Sequence, residues 1–234
     1  MKAHPFHLAA VVLFSFVLGQ SALAQWSTPP ATSAETERLY TEAIEKRAND
    51  ILTALAVPDP AKCIKVHDII VAQYRSLRAR DEAIDSLLRI VGKDVNYTNR
   101  SVYLLGECRP LHDQFLAKLT AVLTPEQIEK VKDKMTYNKV KVTYDAYCSI
   151  IPDLTDSEKA KILEQLTLAR EEAMDGGSAP EKSEIFQKYK NQINTYLTSD
   201  GHDVAKAFKD WDAKQDLAKK TTADASAKPA EAAK

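Results

Sequence analysis

Two Cys-x-x-x-His pairs, Cys63 with His67 and Cys108 with His112, carry the residue types that bind metals. Positions four apart share one face of a helix, so two facing helices bearing these pairs can offer two thiolates and two imidazoles to a tetrahedral zinc ion. The stronger reading is plainer: both cysteines fall on apolar stripes as small core residues, the histidines sit at the stripe edges, and no metal or other cofactor is expected. A disulfide from Cys63 to Cys108 is a further alternative, and it needs Cα atoms within about 7 Å. With Cys148 the cysteines number three, so they cannot all pair within the chain.

A second group lies between Met135 and Tyr196. Tyr137, Tyr144 and Tyr147 cluster around a segment of irregular pattern, and Arg170, Glu171, Asp175, Lys188, Lys190 and Asn194 follow. Aromatic faces combined with amide, carboxylate and guanidinium groups are what a sugar-binding groove uses. The ligand-binding set expected on this ground is Tyr137, Tyr144, Tyr147, Arg170, Asp175, Lys188 and Asn194. Against it, tyrosines at helical spacing are ordinarily core, and lysines on an amphipathic helix ordinarily form a solvated face. A catalytic alternative takes its acid and base from Asp145, Glu171 or Asp175, assisted by Tyr144 or His112, where a buried carboxylate with a raised pKa serves as general acid. No haem-attachment CxxCH, glycine-rich phosphate loop or G-x-S-x-G elbow is present.

The elements that must position these residues are helices. Leu123-Thr-Pro-Glu-Gln127 and Leu154-Thr-Asp-Ser-Glu158 both read as helix starts: Thr124 and Thr155 as N-caps, Pro125 at the first helical position, acidic residues against the positive end of the dipole. A looser echo lies at Leu55 to Lys62. A first helix begins after Ser33 and ends before Pro58-Asp59-Pro60. The second carries Cys63, Ile70, Leu77, Ile84 and Val91 at seven-residue intervals, with Val66 and Leu87 between, and ends at Gly92. A third bears Leu105, Cys108, Phe115, Leu119 and Val122, with Pro110 starting or kinking it. In the segment 137–147, Val140, Val142 and Tyr144 alternate as in a strand, which predicts an extended connection leading into a short helix. Further helices follow from Asp156 to Met174, through Phe186 to Leu197, and over Val204 to Trp211. The expected fold is all-α, a bundle of seven to eight helices over residues 34–219, between a disordered leader at 25–33 and a disordered tail at 220–234.

Residues 1–24 read as a secretory signal: Lys2, an apolar run from Leu8 to Leu18, and a cleavage site at Ala22-Leu-Ala24. The residue directly after that site is Gln25 and not cysteine, which argues against a lipid anchor, and no later stretch reaches the roughly 20 apolar residues of a membrane span. An exported protein, periplasmic or extracellular, is expected. The net charge of -1, with both signs interspersed, argues against nucleic acid as a partner.

The chain resembles the DUF3826 family of exported bacterial proteins that lack an assigned activity. The resemblance rests on Leu123-Thr-Pro-Glu-Gln-Ile-Glu-Lys-Val-Lys-Asp-Lys-Met-Thr-Tyr137, Val142-Thr-Tyr-Asp-Ala-Tyr147, Ala169-Arg-Glu-Glu-Ala-Met-Asp175, Phe186-Gln-Lys-Tyr-Lys190 and Ile193-Asn-Thr-Tyr-Leu197, and it runs from about Asp59 to Trp211. Asn138 stands where the family typically has glycine. Leu123 to Gln127 is also similar to the LTxxQ motif of Spy- and CpxP-like periplasmic proteins. What the family resemblance implies is an exported helical protein in a polysaccharide-utilisation setting. The functional expectation is a non-enzymatic protein that binds a glycan fragment or an envelope protein. A polysaccharide lyase or hydrolase is the alternative, and a chaperone-like stress protein the second alternative.

Overall fold

Cap chemistry sets the helix boundaries. The computed structural model describes residues 33–227, and their side chains except those of 97, 103–109 and 217–227. The expected signal segment, and the expected leader up to residue 32, lie outside the described residues. Among the described residues eight helices follow one another: α1 (Ser33–Leu55), α2 (Pro60–Ile90), α3 (Tyr97–Thr120), α4 (Pro125–Met135), α5 (Lys139–Ile150), α6 (Asp156–Ala173), α7 (Ala179–Ser199) and α8 (Val204–Ala227). No strand occurs among the described residues, so the fold is all-α. Thr124 and Thr155 each complete a capping box, with Gln127 and Glu158 as the reciprocal partners. Asp59 and Ser178 cap α2 and α7, each with a proline in the first turn. Gly92 closes α2 in the left-handed region, with Gly92 N–H donating to Arg89 O and Lys93 N–H to Leu88 O. Pro110 lies inside α3, which starts earlier, behind the Asn96 cap. Helix α8 runs past residue 220, where the loss of large apolar groups set the expected start of the tail.

The seven-residue stripe of α2 is buried only through its middle. Val66, Ile70, Leu77 and Ile84 are in the core, whereas Leu87 and Val91 are exposed and Leu88 takes the buried place. A straight α-helix drifts about 20° per heptad, so over the stretch from Cys63 to Val91 the stripe turns by roughly 80° away from its starting face.

Segment 137–147 corrects the expectation of an extended connection. Only Thr136 to Asn138 form the turn, and α5 is helical from Lys139. Val140, Tyr144, Tyr147 and Ile151 fall at helical spacing and pack on one core, while Val142 points to solvent. Tertiary packing of that stripe overrides the modest cost of β-branched residues in a helix. Tyr137 and Asn138 both take left-handed backbone, with φ of 60° and 54°. Asparagine is the side-chain-bearing residue that tolerates this region best, so Asn138 can hold this turn without glycine.

Two apolar cores result. The first draws on α1, α2, α3 and α4, with Met174 reaching in from the end of α6. The second draws on α5, α6, α7 and α8. The halves are joined by the Thr136–Asn138 turn and meet where α6 crosses α4 and where the α6–α7 turn reaches α2 and α3. That meeting is polar.

Candidate functional site

The structure separates the expected ligand-binding residues into four places. Tyr147 and Asn194 come together, but inside the second core: Tyr147 is 2 % exposed, its hydroxyl donates to Asn194 Oδ1 at 2.6 Å, and its ring meets Phe208 edge-on at 5.9 Å. Burial pushes the Tyr147 phenol above its ordinary pKa. Tyr144 is half-buried against the same core, and Tyr137 stands exposed in the α4–α5 turn. Lys188 holds both oxygens of Glu172, at 2.7 and 2.6 Å, with its ammonium 4.8 Å from the Tyr189 ring centre. Arg170 and Asp175 lie elsewhere, at the meeting of the two halves. Of the alternative acid and base residues, Asp145 is exposed and paired with Lys141, while Glu171, Asp175 and His112 join Arg170.

The two Cys-His pairs diverge. Cys63 is a free thiol whose Sγ lies 3.2 Å from Val57 O, and His67 Nε2 lies 2.8 Å from Glu45 Oε2 on α1. His112 faces α6 instead, and the Cys108 side chain lies outside the described residues. Among the described residues no group of three or more His, Cys, Asp and Glu side chains is arranged to hold a metal ion.

The seam between the halves is built as a continuous run of charges. On the α4 side, the Arg170 guanidinium donates to Glu129 and to Asp133 (2.6 Å), with Glu171 at 3.1 Å. Lys132 donates to Glu171 at 3.0 Å. His112 lies between carboxylates, its Nε2 3.8 Å from Glu171 and its Nδ1 3.1 Å from Asp175 Oδ2, the latter too poorly angled for a hydrogen bond. From α2, Arg80 donates twice to Asp81 Oδ1, at 2.9 and 2.6 Å, and once to Asp175 O at 2.7 Å. Arg100 of α3 grips both oxygens of Asp85 at 2.6 Å. Across from them, Glu181 accepts from Gly177 N–H at 2.9 Å, and Lys182 donates to Ala173 O at 2.7 Å, covering the end of α6.

Gly177 lets the Asp81 carboxylate come this close. A Cβ placed there would sit 1.7 Å from Asp81 Oδ2, a distance no carbon and oxygen can share, so any side chain at 177 would displace that carboxylate.

Burial and neighbours perturb the seam's titration. The Asp175 carboxylate holds His112 above its ordinary pKa, against the opposing effect of burial. Burial, followed by the nearby Asp81 charge, raises Glu181, and burial raises Asp81 against the pull of Arg80. Lys182 is pushed down to about 8, chiefly by burial. Four buried side-chain atoms here have no hydrogen-bond partner within the protein: His112 Nδ1, Arg170 Nε, Asp175 Oδ1 and Glu181 Oε1. They include donors and acceptors, set among groups of both signs.

Sequence reading found Arg170, Glu171, Asp175 and His112 but missed Arg80, Asp81, Arg100, Glu181 and Lys182. The stretch from Arg78 to Glu82 has the look of a solvated helix face, and Glu181 of a first-turn acid. The usable signal was Gly176-Gly177, two of only six glycines, beside Asp175.

Leu123 to Gln127, which resembles the LTxxQ motif, is accounted for locally by the α4 capping box. No curated protein matches the chain. The family described as "Protein of unknown function (DUF3826)" matches residues 41–216, from α1 into α8 and across every residue of the seam, so the chain belongs to the DUF3826 family.

Proposed function

We propose that the protein is an exported binding protein that takes a glycan fragment at the seam between its two halves. The observation that carries this reading is the set of unpaired buried atoms on His112, Arg170, Asp175 and Glu181. Native proteins pair more than about 90 % of their buried polar groups with protein or ordered water, so several without a protein partner along one seam offer hydrogen bonds to a polar ligand or to water that it would displace. A saccharide hydroxyl both donates and accepts, and so suits a run of mixed donors and acceptors. The seam is not sealed: the Glu171 side chain is 30 % exposed, which gives a ligand a way in. Arg170 spends its two terminal nitrogens on three carboxylates, which holds Glu171 toward His112 and leaves the Nε–H as its remaining donor.

A second reading is favoured by one specific observation. His112 between Asp175 and Glu171, with its pKa raised, is an acid–base arrangement of the kind a polysaccharide lyase or hydrolase uses. The test of the first reading is a thermal-shift screen of residues 25–234 against plant, algal and host oligosaccharides, in which a ligand specific for the native state at about 100 times its Kd adds about 2.7 kcal/mol. Binding through the seam predicts that His112→Ala and Asp175→Asn abolish the shift. A shift undiminished in both variants refutes the site. Chromatographic analysis of the incubated glycan then separates binder from enzyme: unchanged glycan supports binding, and new reducing ends or unsaturated products support the second reading.

A further inference from the structure

We infer that the cleft between the α5–α6 loop and the start of α8 is a saccharide subsite with Trp211 as its platform. The cleft encloses about 320 Å³ and is walled by Ser149 to Asp153 on one side and by His202 to Lys214 on the other. That volume is at the lower end of the range for small-molecule sites, roughly 300–1,000 Å³, and suits one or two sugar rings. None of its lining residues takes part in the seam, so it stands on different observations.

Its composition selects the ligand class. Trp211 is half-buried: it packs against the second core and lines the cleft. A tryptophan held this way offers a flat apolar surface of fixed orientation at little entropic cost, which matches the C–H face of a pyranose. Around it stand Asp153, Asp203 and Asp210 as acceptors and Lys206 and Lys214 as donors. Lys206 is tied to Asp210 at 2.6 Å, and Asp203 accepts the Lys206 backbone N–H at 3.0 Å, which fixes this part of the rim. Three negative and two positive groups give no concentrated field of either sign, so the cleft fits a neutral polyol rather than a phosphate or a uronate. The floor is held from below, where His202 Nε2 meets the buried Glu158 carboxylate at 2.7 Å and ties the α7–α8 loop to the start of α6.

This inference shares its ligand class with the function proposed above, and the experiment separates the two sites. The chain has two tryptophans, Trp26 and Trp211, so in the Trp26→Phe variant of residues 25–234 tryptophan-selective excitation reads Trp211 alone. It is titrated with neutral hexoses, pentoses and their disaccharides, and with the corresponding uronates. The expected result is a saturable change in emission with at least one neutral sugar, weakened about tenfold, the worth of one hydrogen bond, by Asp153→Ala or Lys214→Ala. Both residues are exposed, so these variants keep the fold. His112→Ala in the seam leaves the change intact. The inference is overturned by the absence of a saturable change with every neutral sugar up to about 20 mM, well above the millimolar Kd of a weak site. It is equally overturned by tighter binding of uronates than of neutral sugars, or by a signal that His112→Ala removes while the two cleft variants preserve it.

Discussion

Gly177→Ala tests the closure of the seam directly. The added carbon would fall 1.7 Å from Asp81 Oδ2 and 2.9 Å from Asp81 Cγ, so the carboxylate must leave. It is held where it is by two bonds from Arg80, and both side chains are largely buried, at 13 and 7 % exposure. Breaking a buried ion pair costs about 3–5 kcal/mol when one charge is stranded, and overpacking costs about 1–3. Two effects reduce the sum. Arg80 keeps its bond to Asp175 O, and the backbone of Gly177 is outside the left-handed region, so alanine there gains about 0.4–1 kcal/mol from a less flexible unfolded chain. A hydrogen bond from a charged group is worth about 1.5–3 kcal/mol, so the net expectation is a loss of about 2–4 kcal/mol. At about 2–4 °C per kcal/mol for a chain of this size, thermal unfolding should fall by about 4–16 °C. Urea unfolding of the single variants and of Gly177→Ala with Asp81→Ala completes a double-mutant cycle, in which removal of the Asp81 carboxylate should erase most of the glycine effect. A Gly177→Ala loss below about 0.5 kcal/mol, or one unchanged in the Asp81→Ala background, refutes the contact.

Four other outcomes follow from single contacts. His112 should titrate above its ordinary value of about 6.5 by proton NMR, contributing stability that is complete below that pH and lost as pH rises through the folded value; Asp175→Asn should bring the titration down. Glu158 is held down to about 2, chiefly by Thr155 backbone N–H, so its contribution is present above about 4.5 and lost as pH falls toward 2; Glu158→Gln should flatten that part of an acid-unfolding curve. Ala56 occupies left-handed backbone at φ 49° on the surface, so Ala56→Gly should raise stability by about 0.5–1 kcal/mol in urea unfolding, and a loss there contradicts the assigned backbone. Tyr147→Phe strands the Asn194 oxygen and should cost about 1–2 kcal/mol without altering affinity for any ligand found, since a change in affinity would restore Tyr147 to the binding set.

The helices were legible where local chemistry decides them. Thr124 and Thr155 announced their helices because a capping box is written within four residues. The α2 stripe was legible in period and misleading in extent, because a heptad count ignores the drift that exposes Val91 and buries Leu88. In α5 the alternation of Val140, Val142 and Tyr144 hid a longer helical stripe through Tyr147 and Ile151, which a window reaching past Pro152 reveals. The seam was half legible. Asp175 and Glu171 stood out beside a glycine pair, but Arg80, which donates to Asp175 O, lies 95 residues before it, and a charged helix face carries no mark of what it will be folded against.

The chemistry of the seam is not what joining two bundles requires. Each half has its own apolar core, and Met174 is the apolar side chain of the C-terminal half that is buried in the other core. Buried ion pairs repay their desolvation poorly, and apolar replacements of equal volume are often neutral or stabilising by about 1–4 kcal/mol. Here Arg80, Asp81, His112, Arg170, Asp175, Glu181 and Lys182 are withdrawn from water together, with four polar atoms left unpaired. Apolar contact between the halves is therefore not what these residues supply, and the four atoms without a protein partner are the ones that the proposed glycan would engage. The two accounts part in one measurable way: if the seam is a weld, replacing His112 and Asp175 together by leucine and asparagine leaves ligand-induced stabilisation unchanged, and if it is a site, that stabilisation disappears even where the unliganded protein is as stable as before.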